Sequence, residues 1–240
     1  MNTVGISERI NANDVLKRLK ELADTNIAAH SQRFFKSGEG EYGEGDRFLG
    51  IRVPLIRSEV KKFRNLSINE TLKLLKSEFH EVRLFALLML VAKFNQGPAE
   101  TRGAIYNHYL THLPYINNWD LIDSSAPYII GAWLADKNKA LLYELAQSTN
   151  LWQHRIAIMA TFYFIRDNDF EDALAIAELL VNDRHDLIHK AVGWMLREVG
   201  KRDLASEEAF LNKHCQQMPR TMLRYAIERF PEKRRRAYMN

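Results

Sequence analysis

The residues best equipped for chemistry lie in the segment NNWDLID, from Asn117 to Asp123. Trp119 and Asp123 are four positions apart, so a helix brings them to one face. An oriented carboxylate stabilises developing positive charge and can position water, and an indole face attracts cations. The competing reading puts Trp119 in a core and leaves Asp120 and Asp123 exposed or capping. Asp120 lies near the helix start, where an acid favours the dipole. Three further segments set cations beside aromatic rings. In LWQHRIAIMATFYF, Arg155 follows Trp152 in the first turn of an apolar helix. A cation there opposes the dipole and needs an anionic partner, either a side chain or a phosphate. In HKAVGWMLREVGK, Trp194 and Arg197 share a face. Gly193 interrupts that helix at a cost of roughly 1 kcal/mol against alanine, which close approach of a helix or a ligand would explain. In MPRTMLRYAIERF, Arg220, Arg224 and Tyr225 continue the basic row. His185 and His189 form an i, i+4 pair near Asp183, but no third ligand stands at a fixed spacing, so no metal site is expected. Ser124 and Ser125 lack the setting of a nucleophile elbow.

Helices must position these residues. Val15, Leu16, Leu19, Leu22 and Ala23 follow helical spacing within Asp14 to Phe35. Ser67 and Glu70 have the form of a capping box before Leu72, Leu74 and Leu75. Asp14, Asn118, Asn138 and Asp169 are expected N-caps, and Pro98 and Pro219 suit first turns. No segment alternates as a strand would, so the expected class is all-α. The helices also recur. Leu72, Ile105, Leu141, Leu174 and Phe210 hold similar places in successive segments at a near-constant spacing. Arg83, Trp119, Arg155, Lys190 and Arg224 form a second series with the same spacing. Two interleaved series of one period predict a repeated helix pair, shorter than the roughly 40–47 residues of typical HEAT units. One pair cannot bury its apolar face alone, so the expectation is a single curved α-solenoid domain over residues 1–240, with about six HEAT-like helix pairs and the second series on its concave side. Asp123 and Trp194 are two periods apart and so hold equivalent positions. Rows of acidic, aromatic and basic groups on one face suggest a DNA groove, with Arg and Lys on phosphates.

Composition narrows the alternatives. The 240 residues are 46% hydrophobic, and the most apolar run, Leu84 to Ala92, is far too short to span a membrane. Met1 to Asn13 is polar and lacks the apolar core of a signal peptide, so a cytoplasmic location is expected. Cys215 is the only cysteine, which rules out an intrachain disulfide and a cysteine-built metal site. Thirty-four Lys and Arg against thirty Asp and Glu give a net charge of +4, a mild bias toward polyanions. Arg220 to Arg236 is rich in cations, and the plain reading of such a run is a solvated tail, with phosphate contact as the alternative. The segment SGEGEYGEGDRFLG, Ser37 to Gly50, lacks the lysine and hydroxyl of a phosphate-binding loop and carries four acids. It is expected to be a flexible loop, with no nucleotide cofactor. Nothing in the sequence calls for an oligomer.

The segments FLGIRVP (Phe48 to Pro54), NNWDLID, HRIAIMATFYFI, HDLIHKAVGWMLREVGK and MPRTMLRYAIERF together resemble the AlkD-type DNA alkylation repair proteins. The resemblance implies a HEAT-like solenoid that cups damaged duplex DNA and excises N3- or N7-alkylated purines without metal or cofactor. It assigns Trp119, Asp123 and Trp194 to a catalytic cleft, and Arg155 and Arg197 to its basic residues. Lys190, Arg83, Arg220 and Arg224 extend the expected DNA contacts. Phe34 stands where members of the family can carry a tyrosine, which removes one hydrogen bond to DNA. The resemblance further implies that the lesion need not enter a deep pocket. Alkylation makes the purine a cationic leaving group, and its departure leaves an oxocarbenium-like sugar that Asp123 would stabilise. No lysine is placed as a Schiff-base nucleophile, so no strand-nicking step is expected. A DNA-binding solenoid without catalysis and a protein-binding scaffold are the alternative readings.

Overall fold

A computed structural model describes residues 10–239. The N-terminal reading therefore falls largely outside the described residues. Among the described residues the chain is helical, with no strand and one isolated bridge pair, Arg47 with Phe79. None of the described helices is long and apolar enough to cross a membrane. Two compact units divide the chain between Leu121 and Ile122.

The first unit holds α1 (Ala12–Glu21), α2 (Thr25–Phe34), α3 (Val53–Lys62), α4 (Ile68–Leu75), α5 (His80–Gln96), α6 (Ala99–Thr111) and the start of α7 (Trp119–Asp123). Asn11 caps α1, and Asp14 completes that capping box as its third residue rather than serving as the cap itself. Ser67 caps α4 through the Glu70 amide at 3.2 Å. The Glu70 carboxylate does not close the expected box; it accepts from the Ala12 amide at 2.9 Å and so ties α4 to the start of α1. α5 is apolar around most of its circumference, with Val82 and Leu84 to Leu90 buried, because α3, α4 and α6 all pack on it.

The segment expected to be a flexible loop is anchored at its C-terminal end. The Glu81 carboxylate, 4% exposed, accepts from the amides of Leu49, Gly50 and Ile51 at 2.9, 2.7 and 3.2 Å. One buried acid thus satisfies three amides that no secondary structure serves.

The second unit holds a π-helical turn (Pro127–Gly131), α8 (Ala132–Leu134), α9 (Ala140–Ala146), α10 (Leu151–Ala160), α11 (Phe162–Arg166), α12 (Glu171–Leu179), α13 (Asp186–Gly200), α14 (Leu204–His214), α15 (Arg220–Ala226) and α16 (Glu232–Met239). α9 pairs with α10, α12 with α13, and α14 with α13, while α10, α13 and α15 pack in succession. These three begin at Leu151, Asp186 and Arg220, each one repeat period after the last. The two series read from the sequence fall on alternate helices in both units: Leu72 on α4, Arg83 on α5, Ile105 on α6, Trp119 on α7, Leu141 on α9, Arg155 on α10, Leu174 on α12, Lys190 on α13, Phe210 on α14 and Arg224 on α15.

Gly193 has its reason in this packing. A Cβ there would meet the Met222 carbonyl oxygen at 2.4 Å and Tyr225 Cβ at 2.5 Å, so α13 and α15 approach through it. Gly131 repeats the device: its Cβ would meet the Ala160 oxygen at 2.3 Å and Tyr163 Cβ at 2.8 Å. In both cases the glycine meets a carbonyl and a tyrosine three residues further on. The cation-rich C-terminus is helical and stays exposed, with none of the residues of α16 buried. α16 is tied to α14 by Arg234 with Glu208 at 3.3 Å and by the Tyr238 hydroxyl to Asn212 Oδ1 at 3.2 Å.

Candidate functional site

Asp123, at the end of α7, receives a two-pronged ion pair from Arg155. The Arg155 Nε donates to Asp123 Oδ1 and Nη2 to Oδ2, both at 2.8 Å. The fork geometry fixes the carboxylate plane as well as its position. Arg155 is 4% exposed, and its Nη1 donates to the Leu187 carbonyl at 2.7 Å. The anionic partner that an arginine in the first turn of α10 requires is therefore a side chain. Asp123 retains 16% side-chain exposure, so a buried cation aims a carboxylate that solvent still reaches.

Trp194 of α13 is half-buried. Its indole N–H donates to Glu198 Oε1 at 3.2 Å, and the Phe162 ring lies 6.2 Å away. Burial alone would raise the Glu198 carboxyl, yet Lys201, Trp194 and Arg202 hold it below the usual range. Trp194 is thus fixed at its polar edge.

In the first unit, Trp119 sits against a polar centre that the sequence did not announce. His80, 1% exposed at the start of α5, places Nδ1 3.1 Å from Asp46 Oδ2 and Nε2 2.8 Å from Asp120 Oδ2. Arg83 donates to Asp46 Oδ1 at 2.6 Å and to Asn117 Oδ1 at 3.2 Å. Asn118 donates to Asp46 Oδ2 at 3.2 Å and accepts from the Trp119 amide at 2.9 Å. Burial alone would lower the His80 pKa, but Asp120 and Asp46 outweigh it and push it up to about 9. Burial acts the other way on Asp46, where His80 and Arg83 nonetheless hold the carboxyl below its usual range. His80 stacks with Phe48 at 5.0 Å and lies 4.7 Å from the tilted Phe35 ring. Phe35 in turn stacks on Trp119 at 5.4 Å, and Phe34 meets Trp119 edge-on at 5.9 Å.

The expected DNA contacts divide by placement. Arg83 and Arg155 are each 4% exposed and bonded to carboxylates, so both guanidiniums expected on phosphates have internal partners. Lys190 pairs with Asp186 at 2.6 Å and stays partly exposed. Arg197 pairs with Glu228, while its buried Nε lacks a partner. Arg220 donates to the Met239 carbonyl at 2.7 Å, and Arg224 is exposed. Phe34 is 56% exposed. Sequence reasoning passed over Asp46, His80, Phe35 and the function of Asp120. The spacing from Asp46 to His80, close to one repeat period, was the one available signal, and Asp120 does not continue it.

The histidine pair near Asp183 is engaged locally. His185 Nδ1 accepts the Leu187 amide at 3.1 Å, and His189 Nε2 lies 2.6 Å from the Asp183 carbonyl oxygen. Among the described residues no cluster of three or more His, Cys, Asp or Glu converges as metal ligands would.

A family model described as DNA alkylation repair enzyme matches residues 15–230. No curated protein matches the chain. Among solved structures, a predicted DNA alkylation repair enzyme from Enterococcus faecalis superposes with a TM-score of 0.68 at 14% identity, over 88% of this chain and 97% of that one. At that identity the likeness shows the fold.

Proposed function

The chain belongs to the DNA alkylation repair enzyme family, and from that premise we propose that it is a monofunctional glycosylase for cationic N3- and N7-alkylated purines in duplex DNA. In this reading the bond between the sugar C1′ and the purine nitrogen breaks, and its electron pair neutralises the purine. A water oxygen then bonds to C1′ and releases a proton. Asp123 stabilises the positive charge that develops on the sugar, and the indoles of Trp119 and Trp194 favour a cationic sugar or base. Arg155 serves as the positioning residue behind Asp123. Arg197, Lys190, Arg220 and Arg224 meet phosphates, and Phe34 gives an apolar contact where a tyrosine would give a hydrogen bond.

One observation carries the reading: a solvent-reachable carboxylate held by both its oxygens on a buried guanidinium. An acid needed only for stability would not have to face solvent. The test compares wild type with Asp123→Asn for release of 7-methylguanine from methylated duplex. Release by wild type and a fall of about 100-fold or more in the variant, with DNA binding kept, is the expected result. Tight, salt-sensitive binding by a folded wild type without base release would instead favour a damage-recognising DNA binder.

A further inference from the structure

We propose that Asp120 and His80 are positioning residues for this chemistry: the Asp46–His80–Asp120 chain clamps the first turn of α7 and thereby sets the Trp119 indole. The inference rests on the glycosylase reading for the purpose of the clamp, while the clamp itself stands on geometry.

α7 spans Trp119 to Asp123, too short to hold its own shape, because nucleating a turn is unfavourable and only a longer helix recovers that cost. Side chains hold it instead. Residues 117–120 are each engaged in turn. Asn117 accepts from Arg83, Asn118 donates to Asp46 and accepts the Trp119 amide, and Asp120 meets His80. Trp119, between them, has its ring against Phe35 and Phe34. Apart from the Trp119 amide bond, every polar bond in this set leads to one buried centre, Asp46–His80–Arg83, whose members come from the loop after α2 and from α5. His80 lies between Phe48 and Phe35, so its ring has little freedom to turn and its direction is passed on to Asp120.

Stability alone does not account for such a centre. Asp46, Asp120, Arg83 and a protonated His80 sum to zero charge, but taking four charges out of water is costly, and a buried ion pair is often matched or bettered by apolar residues of similar volume. What apolar residues cannot supply is direction. Charged hydrogen bonds hold a neighbour at one distance and angle, and misplacing a reacting group by about 1 Å can slow a reaction by about 100-fold.

The test uses the full chain with Asp120→Ala, which cuts the link to His80, and Asp120→Asn, which keeps an acceptor for the His80 Nε2–H. Three quantities are read: amide exchange at residues 118–123, the dissociation constant on methylated duplex, and single-turnover release of 7-methylguanine at saturating protein. Asp120→Ala should speed exchange at these amides by about tenfold or more and slow release by about 10- to 100-fold, with the dissociation constant within about twofold. Asp120→Asn should recover both to within about threefold. Unchanged exchange in Asp120→Ala overturns the proposal. So does loss of protection spread through α3 and α5, which marks a merely structural role, and so does a slowed reaction that Asn does not recover. If wild type releases no base, the glycosylase reading falls, yet local loosening by Ala and its repair by Asn still establish the clamp.

Discussion

At the scale of the residue, the Arg155–Asp123 and Asp46–His80–Asp120 centres do different jobs with the same chemistry. Arg155 and Asp123 form a fork, and the carboxylate is the end that solvent reaches. His80 instead joins two carboxylates and holds a proton to do so. Its folded pKa of about 9 lies above the ordinary 6.5, so its contribution to stability is fully present below pH 6.5 and is lost as pH rises through about 9. The shift corresponds to a contribution on the order of 3 kcal/mol. Asp46 works in the opposite sense. Its carboxyl is held below 3.8, so its contribution is present above that pH and disappears in acid. We expect the stability difference between wild type and Asp120→Asn, measured by urea unfolding, to be larger at pH 7 than at pH 9.5. Glu207, pushed up to about 8 by burial and by Glu208, lowers stability as pH rises from 4.5 to about 8, but equally in both proteins. An unchanged gap would mean that His80 does not carry its proton between the two acids.

At the scale of the element, Gly193 sets two effects of opposite sign against each other. Alanine in the middle of α13 gains roughly 1 kcal/mol of helix propensity. It also forces a methyl group against the Met222 carbonyl and Tyr225 Cβ, at 2.4 and 2.5 Å, and backbone on backbone cannot give way cheaply. Overpacking of this kind costs about 1–3 kcal/mol, so Gly193→Ala should lose stability overall by about 1–2 kcal/mol in thermal or urea unfolding. A net gain would show that α15 can move aside. The same glycine shows how much the sequence displayed. Its cost within a helix was legible, and the choice between a helix and a ligand as its neighbour was not. The helix pairs were legible because apolar spacing and a common period depend on local sequence. The cap of α1 was misplaced, to Asp14 instead of Asn11, because both residue types cap well and only the backbone distinguishes them. The Asp46–His80–Asp120 centre was hidden for a different reason. It joins a glycine-rich loop to two helices, and composition alone gave that loop the look of a flexible one.

At the scale of the whole molecule, a net charge of +4 from 34 cations is a weak argument for DNA, and what matters is which cations are free to exchange a counterion for a phosphate. Arg83 and Arg155 are withdrawn into the interior. Lys190 and Arg197 already face Asp186 and Glu228, so a phosphate must displace or share with a carboxylate. Arg224, exposed and making no ion pair among the described residues, meets no such competition. If these residues line the DNA contact, the logarithm of the binding constant should fall with the logarithm of salt concentration with a slope of about −2 to −4. Arg224→Gln should make that slope shallower by about 0.9, the value for one full phosphate contact, while Lys190→Gln should change it by less, because Asp186 remains to repel the backbone. Equal changes from the two variants would mean that the Lys190 pair opens completely on binding. A flat salt dependence in wild type would remove duplex DNA as the partner of this face, and with it the phosphate contacts assigned to Arg197, Arg220 and Arg224.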